Sequence, residues 1–168
     1  VINAGTSTMA LPFLGKLDFG LIYPLVLIPI GVFGAANMVN LLAGFNGVET
    51  GMGIIYMGML GLYAYMNGRL ISALLALMAL SALLAFYYYN KYPAKILPGD
   101  SLTYLLGASL ATMAIIGNIE KAALISSIPF FAEFILKARS KLKAQSYGYY
   151  DNGKIHSLHD KIYSLIHF

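Results

Sequence analysis

Apolar residues run in five long stretches, near 20–42, 51–66, 70–89, 101–118 and 121–138. Each approaches the roughly 20 helical residues that cross a hydrocarbon core. Short polar segments at 43–50, 67–69, 90–100 and 119–120 separate them, and a polar, basic tail fills 139–168. The pattern predicts an all-α polytopic transmembrane helix bundle of about five membrane helices, with 1–168 as a single membrane domain ending in a cytosolic amphipathic tail. Pro24 and Pro29 fall inside the first stretch, where neighbouring helices can re-satisfy the freed carbonyls, so a kink is expected rather than a break. The second stretch carries Gly51, Gly53, Gly58 and Gly61. Small residues on a membrane helix let a neighbour's backbone approach closely, so these predict tight helix packing.

Composition sharpens this picture. Hydrophobic residues make up 59% of the 168 and charged residues 11%, against about a quarter charged in a soluble domain, which excludes most soluble classes. The absence of Cys removes disulfides, thiolate nucleophiles and thiolate metal sites, leaving oxygen and imidazole as the only metal ligands. Trp is also absent, but 13 Tyr and 9 Phe can populate interfacial belts. The net charge of +4 follows topology rather than a nucleic-acid partner, because the basic residues border the apolar stretches. Lys91, Lys95, Lys137, Arg139, Lys141, Lys143, Lys154 and Lys161 fall on one predicted face, and Lys16, Arg69 and Lys121 on the other. The positive-inside rule then makes the first face cytosolic. The chain opens at Val1, not at Met, and VINAGTSTM lacks the basic and apolar regions of a signal peptide, so further sequence is expected upstream.

Polar residues concentrate at two places on the predicted cytosolic face. In NMVNLLAGFNGVETG, Asn37 and Asn40 are three apart and share one helix face, where they can bond a neighbouring helix or line a polar cavity. Asn46-Gly47 reads as a turn presenting an amide, and Glu49 precedes the next helix. In NKYPAKILPGDSLTYLLG, Pro98-Gly99 turns the chain and leaves Asp100 at or beside the N-cap of the fourth helix. An N-cap role would account for Asp100 alone. An acid together with several amides on one membrane face can instead hold a hydrated Mg²⁺ and a pyrophosphate. Glu133 lies within the last apolar run, four residues before Lys137, and can pair with it or with a helix outside this chain. His156 and His159 lie in the tail at a spacing that could share a metal, but without a companion carboxylate at helical spacing except Asp160 they read as part of a solvated interfacial segment.

Together these residues resemble a known family. NMVNLLAGFNGVETG is similar to the NxxNxxxGxNGxExG signature of polyprenyl-phosphate N-acetylhexosamine-1-phosphate transferases, specifically the archaeal and eukaryotic UDP-GlcNAc:dolichyl-phosphate GlcNAc-1-phosphate transferase branch. YPAKILPGDSLTYLLG resembles that family's second signature, and DNGKIHSLHDKIYSL more loosely resembles the branch's C-terminal tail. The resemblance covers the C-terminal half of a fold of about ten membrane helices. It implies Mg²⁺-dependent transfer of GlcNAc-1-phosphate from UDP-GlcNAc to a polyprenyl or dolichyl phosphate, with release of UMP, at the cytosolic membrane face. It implies Asp100 as the metal ligand, Asn40 near the pyrophosphate and metal, and Asn46 reading the uracil. The backbone around Leu97 would lie near the same base, although relatives often carry Phe there, and Asn37 and Glu49 would support the loop. Arg139, with Lys141 and Lys143, would supply a cationic clamp in place of the family's Arg/His cluster. The family's adjacent Asp pair has no counterpart, since Asp18, Asp100, Asp151 and Asp160 are isolated. A homodimer is an expected assembly. A non-catalytic membrane subunit and a transporter fragment are the alternatives, the latter requiring polar residues at mid-membrane, whereas here they gather at helix ends.

Overall fold

The computed structural model describes residues 7–42, 44–146, 148–156 and 158–167. A two-stranded antiparallel hairpin, β1 (Thr8–Leu11) and β2 (Gly15–Asp18), precedes the helices. A π-helical turn over Tyr23–Leu27 then runs directly into α1 (Ile28–Leu41). Pro24 sits in this wider turn and Pro29 at the start of α1, so the first apolar stretch stays one continuous helical segment, as expected. α2 (Val48–Met66), α3 (Leu70–Asn90) and α4 (Gly99–Gly117) follow, then α5 (Glu120–Ser126) and α6 (Ile128–Ala138). The tail forms a second hairpin, β3 (Tyr149–Asp151) with β4 (Lys154–His156), and a 3₁₀ turn at Leu165–His167. The fold is mostly helical, and the two short hairpins are an addition to the all-α expectation. The tail hairpin closes through Asn152-Gly153, both with positive φ, the backbone that a tight hairpin turn requires.

Three helical segments are long and apolar enough to cross a membrane among the described residues: Tyr23–Leu41, Leu70–Asn90 and Gly99–Gly117. This corrects the expectation of about five. α2 has the necessary length at 19 residues, but Glu49, four glycines and three tyrosines dilute its apolarity. The stretch expected over 121–138 is divided at Ser127 into helices of 7 and 11 residues. Pro129, which lacks a backbone N–H, opens the second of these.

α1 and α4 run antiparallel, as do α2 and α3, and small residues set both contacts. A Cβ placed on Gly107 would lie 2.3 Å from the Ala35 carbonyl oxygen and 2.6 Å from the Ala36 Cα. α1 can therefore approach α4 this closely only because position 107 has no side chain. Gly61 plays the same part against Ala76 of α3, and Gly53 against Leu106 and Leu83. Gly58 faces open space and Gly51 makes only ordinary contact with Tyr87, so two of the four glycines expected to pack do so tightly. Around these crossings Val39, Met57, Leu60, Leu83, Leu106, Leu110, Met113 and Phe130 form one buried cluster. At the far end Ser72 Oγ donates to the Met113 carbonyl, and the Tyr23 hydroxyl donates to Glu120 Oε1 at 2.5 Å, tying α4, α3 and the α5 start to α1.

Replacing Gly107 by Ala forces backbone apart and should cost about 1–3 kcal/mol. Gly58→Ala meets nothing within 4 Å and should gain about 0.5–1 kcal/mol through helix propensity. Thermal unfolding in detergent compares the two, and equal midpoints for both variants would contradict the packing described.

Candidate functional site

The C-terminal end of α1 and the N-terminal end of α4 meet, and two of the residues expected at a site meet with them. Asn40 Nδ2 donates to Asp100 Oδ1 at 3.0 Å and to Thr103 Oγ1 at 2.9 Å. Thr103 is buried one turn after Asp100, and its hydroxyl donates to the Asp100 carbonyl, which leaves its lone pairs for Asn40. Both hydrogens of the Asn40 amide are thus committed inward. Its carbonyl oxygen must point the other way, because an ionised carboxylate accepts hydrogen bonds and cannot donate one.

Asp100 occupies the second position of α4, after Gly99. Pro98 holds the N-cap position, so Asp100 lies in the first turn of the helix rather than at the cap itself. It is exposed, and the oxygen that does not face Asn40 has no protein partner among the described residues.

The segment 44–47 leads into α2 through Gly47, whose φ of 83° a side chain would strain. A Cβ there would also crowd the Tyr87 ring at 3.2 Å and the Lys91 backbone at 3.3 Å. The loop therefore lies directly against the end of α3. Asn46, immediately before it, is exposed. Glu49 lies in the first turn of α2 rather than ahead of it, and its Oε1 accepts the Gly44 N–H at 2.9 Å, a bond that braces the loop. Asn37 does not share that role. Its amide folds back onto the Phe33 carbonyl of its own helix at 2.8 Å. Leu97 is exposed beside Pro98, and Arg139 is exposed just past the end of α6.

Sequence reasoning missed Asn90. It is fully buried at the end of α3, where its Oδ1 accepts the Thr50 hydroxyl at 2.7 Å and its Nδ2 donates to the Ile96 carbonyl at 3.0 Å. One side chain therefore ties the first turn of α2 to the loop that delivers Asp100. An amide closing an otherwise apolar helix, as in YYYN, was the available signal, because a buried amide without partners would cost several kcal/mol. Thr103, three residues after Asp100, was missed in the same way.

The tail histidines do not pair as their spacing suggested. His156 stacks on Tyr149, while His159 packs against Tyr163 and His167, the last pair with ring centroids 5.9 Å apart. No group of three or more His, Cys, Asp or Glu side chains gathers among the described residues. Mg²⁺ does not need one, since it takes one or two carboxylates and completes its octahedron with water and phosphate oxygens. An exposed carboxylate beside an amide whose oxygen is not used in those bonds fits that demand.

Beneath this end of the bundle an apolar cavity of about 310 Å³ runs between α1, α4, α5 and α6. Val39, Met38, Leu110 and Phe130 line it toward the Asn40 end, and Tyr23 and Glu120 close the other.

Asn90→Ala would leave the Thr50 hydroxyl and the Ile96 carbonyl unpaired, at a cost of about 1–3 kcal/mol. Hydrogen exchange of the 91–98 amides should accelerate accordingly, and unchanged exchange would show that Asn90 does not hold this loop.

Residues 1–118 match the model of glycosyl transferase family 4. A Saccharolobus solfataricus protein, provisionally named a UDP-N-acetylglucosamine–dolichyl-phosphate N-acetylglucosaminephosphotransferase, is 40% identical over 99% of this chain and 52% of its own length. A Sulfolobus acidocaldarius protein with the same provisional name is 32% identical over 92% of this chain and 48% of its own. A phospho-N-acetylmuramoyl-pentapeptide-transferase of Shouchella clausii is 35% identical over 69% of the chain and 35% of its own length. The chain thus spans about half the length of the first two of these relatives. On the family match and these identities, the chain belongs to glycosyl transferase family 4.

Proposed function

We propose that the protein carrying this chain transfers GlcNAc-1-phosphate from UDP-GlcNAc to a dolichyl-type polyprenyl phosphate. The observation that carries this reading is the Asn40–Asp100 hydrogen bond, which joins the family's two signature segments across 60 positions at one end of the bundle. An acceptor phosphate oxygen attacks the β-phosphorus, and the bond from that phosphorus to the bridging oxygen breaks. UMP leaves with that oxygen, and the lipid keeps the new pyrophosphate linkage.

Such transfer needs positioning and charge neutralisation more than covalent help from the protein. Asp100 and the Asn40 carbonyl oxygen would hold Mg²⁺, which when bound neutralises charge on the pyrophosphate oxygens. Thr103 fixes the rotation of the Asn40 amide, so its oxygen faces the substrate side before anything binds. Such preorganisation removes a reorganisation cost from the reaction. Asn46, exposed on a loop braced by Gly47 and Glu49, would present its amide to the uracil edge, and the exposed Leu97 segment would lie near the same base. Arg139, exposed past α6, would supply positive charge to the phosphates. The apolar cavity, lined on α1 as far as Met38 and Val39, would give the isoprenoid a low-polarity seat within the same bundle. The basic residues beside this end support a cytosolic placement for it.

Membranes containing the full-length protein should release UMP from UDP-GlcNAc in a reaction that needs Mg²⁺ and polyprenyl phosphate. Asp100→Asn should lower turnover by roughly 100-fold or more with the fold retained, and near-normal Mg²⁺-dependent turnover would remove Asp100 from the metal site. Asn46→Ala should raise the KM for UDP-GlcNAc by roughly ten-fold with a smaller effect on kcat, the cost of about one hydrogen bond. An unchanged KM would refute the base-reading role.

A further inference from the structure

A buried chain of polar contacts runs from the tail to the residue next to Asn40. Glu133 of α6 has no exposed surface. Its Oε1 accepts the Ser164 hydroxyl at 2.7 Å, its Oε2 accepts the Leu165 N–H at 2.7 Å, and Lys137 Nζ lies 3.4 Å from Oε1. Lys137 is itself only 7% exposed and donates to the Leu41 carbonyl. That carbonyl belongs to the last turn of α1, where a helix leaves its final acceptors unsatisfied, and a cation is favoured there by the helix dipole. Asn40 is the preceding residue. Ser164 is also fully buried, and Leu165 packs against the core cluster.

We propose that Glu133 and Lys137 are positioning residues that lock the docked tail segment 163–167 to the C-terminal turn of α1, and so hold Asn40 in register with Asp100. The reading goes beyond simple pair stability for a physical reason. A buried ion pair contributes little net stability against an apolar replacement, yet removing one partner strands a charge, so such pairs fix geometry more than they strengthen a fold. Here the geometry includes three separate pieces of chain: the tail, α6 and the end of α1. Undocking the tail leaves Glu133 without two of its donors, weakens its hold on the Lys137 ammonium, and frees the turn that carries Asn40. Lys137 touches neither of the acids and amides expected to meet substrate, so it acts through the backbone of Leu41 and Asn40.

The inference rests on the transferase reading for its kinetic consequence but not for its structural one, so the test has two arms on the full-length protein. In the first, hydrogen exchange is followed in wild type, Glu133→Ala and the double variant Glu133→Gln/Lys137→Met. The double variant buries no unpaired charge and keeps an acceptor for the tail. Glu133→Ala should accelerate exchange at Leu165 and also at Leu41–Leu42, each by about ten-fold, with the α2–α3 amides unchanged. The double variant should accelerate Leu41–Leu42 while largely sparing Leu165. Unchanged exchange at Leu41–Leu42 in both variants would overturn the proposal, whatever reaction the protein performs. In the second arm, UMP release from UDP-GlcNAc by the double variant should show kcat lowered by about ten-fold with the UDP-GlcNAc KM held within about two-fold. A wild-type kcat in that variant would also overturn it. A wild type that releases no UMP would refute the transferase reading instead, and the exchange arm would then decide the relay alone.

Discussion

The contact on which the site depends is the approach of α1 to α4, with a hydrogen bond at one end and a missing side chain seven residues along. Asn40 reaches Asp100 and Thr103 because Gly107 lets the Ala35–Ala36 backbone lie against α4. Lipid is as apolar as the helices, so burial alone does not draw membrane helices together. Close van der Waals contact and satisfied polar groups must do so, and both occur on the same two faces. The spacing of Asp100, Thr103, Gly107 and Leu110 keeps them on one stripe of α4, so the polar end and the packed middle form a single interface.

Around that interface three sets of buried polar groups satisfy one another, while Glu49 Oε2 is buried without a hydrogen-bond partner among the described residues. Thr50, Asn90 and the Ile96 carbonyl form one set, Tyr23 with Glu120 another, and Glu133, Lys137, Ser164 and Leu165 a third. Each set joins elements far apart in the chain. In a medium of low dielectric an unpaired polar group is expensive, so these groups admit few alternative arrangements and act as registration points. The exposed groups near the site differ in kind. Asp100, Asn46 and Arg139 keep atoms free of protein partners among the described residues, which is what recognition of a substrate requires and what stability alone would not favour.

Much of the site was legible because its residues lie in short local motifs. Asn40, Asn46 and Asp100 stood out as polar residues at helix ends and took their expected roles from the family resemblance, while Gly47 has the positive φ of a turn glycine and Glu49 accepts the Gly44 N–H. Asn37 shows where this reasoning stops. It shares a helix face with Asn40, yet the Phe33 carbonyl one turn earlier in its own helix satisfied it, and periodicity cannot tell a reaching amide from one that folds back. Asn90 and Thr103 escaped notice because their partners lie 40 or more positions away and no local rule selects them.

The sequence by itself determined that the chain is a membrane protein of helices, because a scarcity of charge and long apolar runs leave no other way to satisfy the backbone in lipid. It also determined which face gathers the chemistry, since polar residues inside such runs are too costly to scatter. Tertiary structure decided how many helices are fully apolar spans, where the last one divides, and which side of Asn40 faces outward. It also decided that the tail returns to α6 and reaches α1 through Glu133 and Lys137. Those outcomes depend on which distant donor meets which acceptor once helices pack, and that pairing is a property of three-dimensional neighbours rather than of position along the chain.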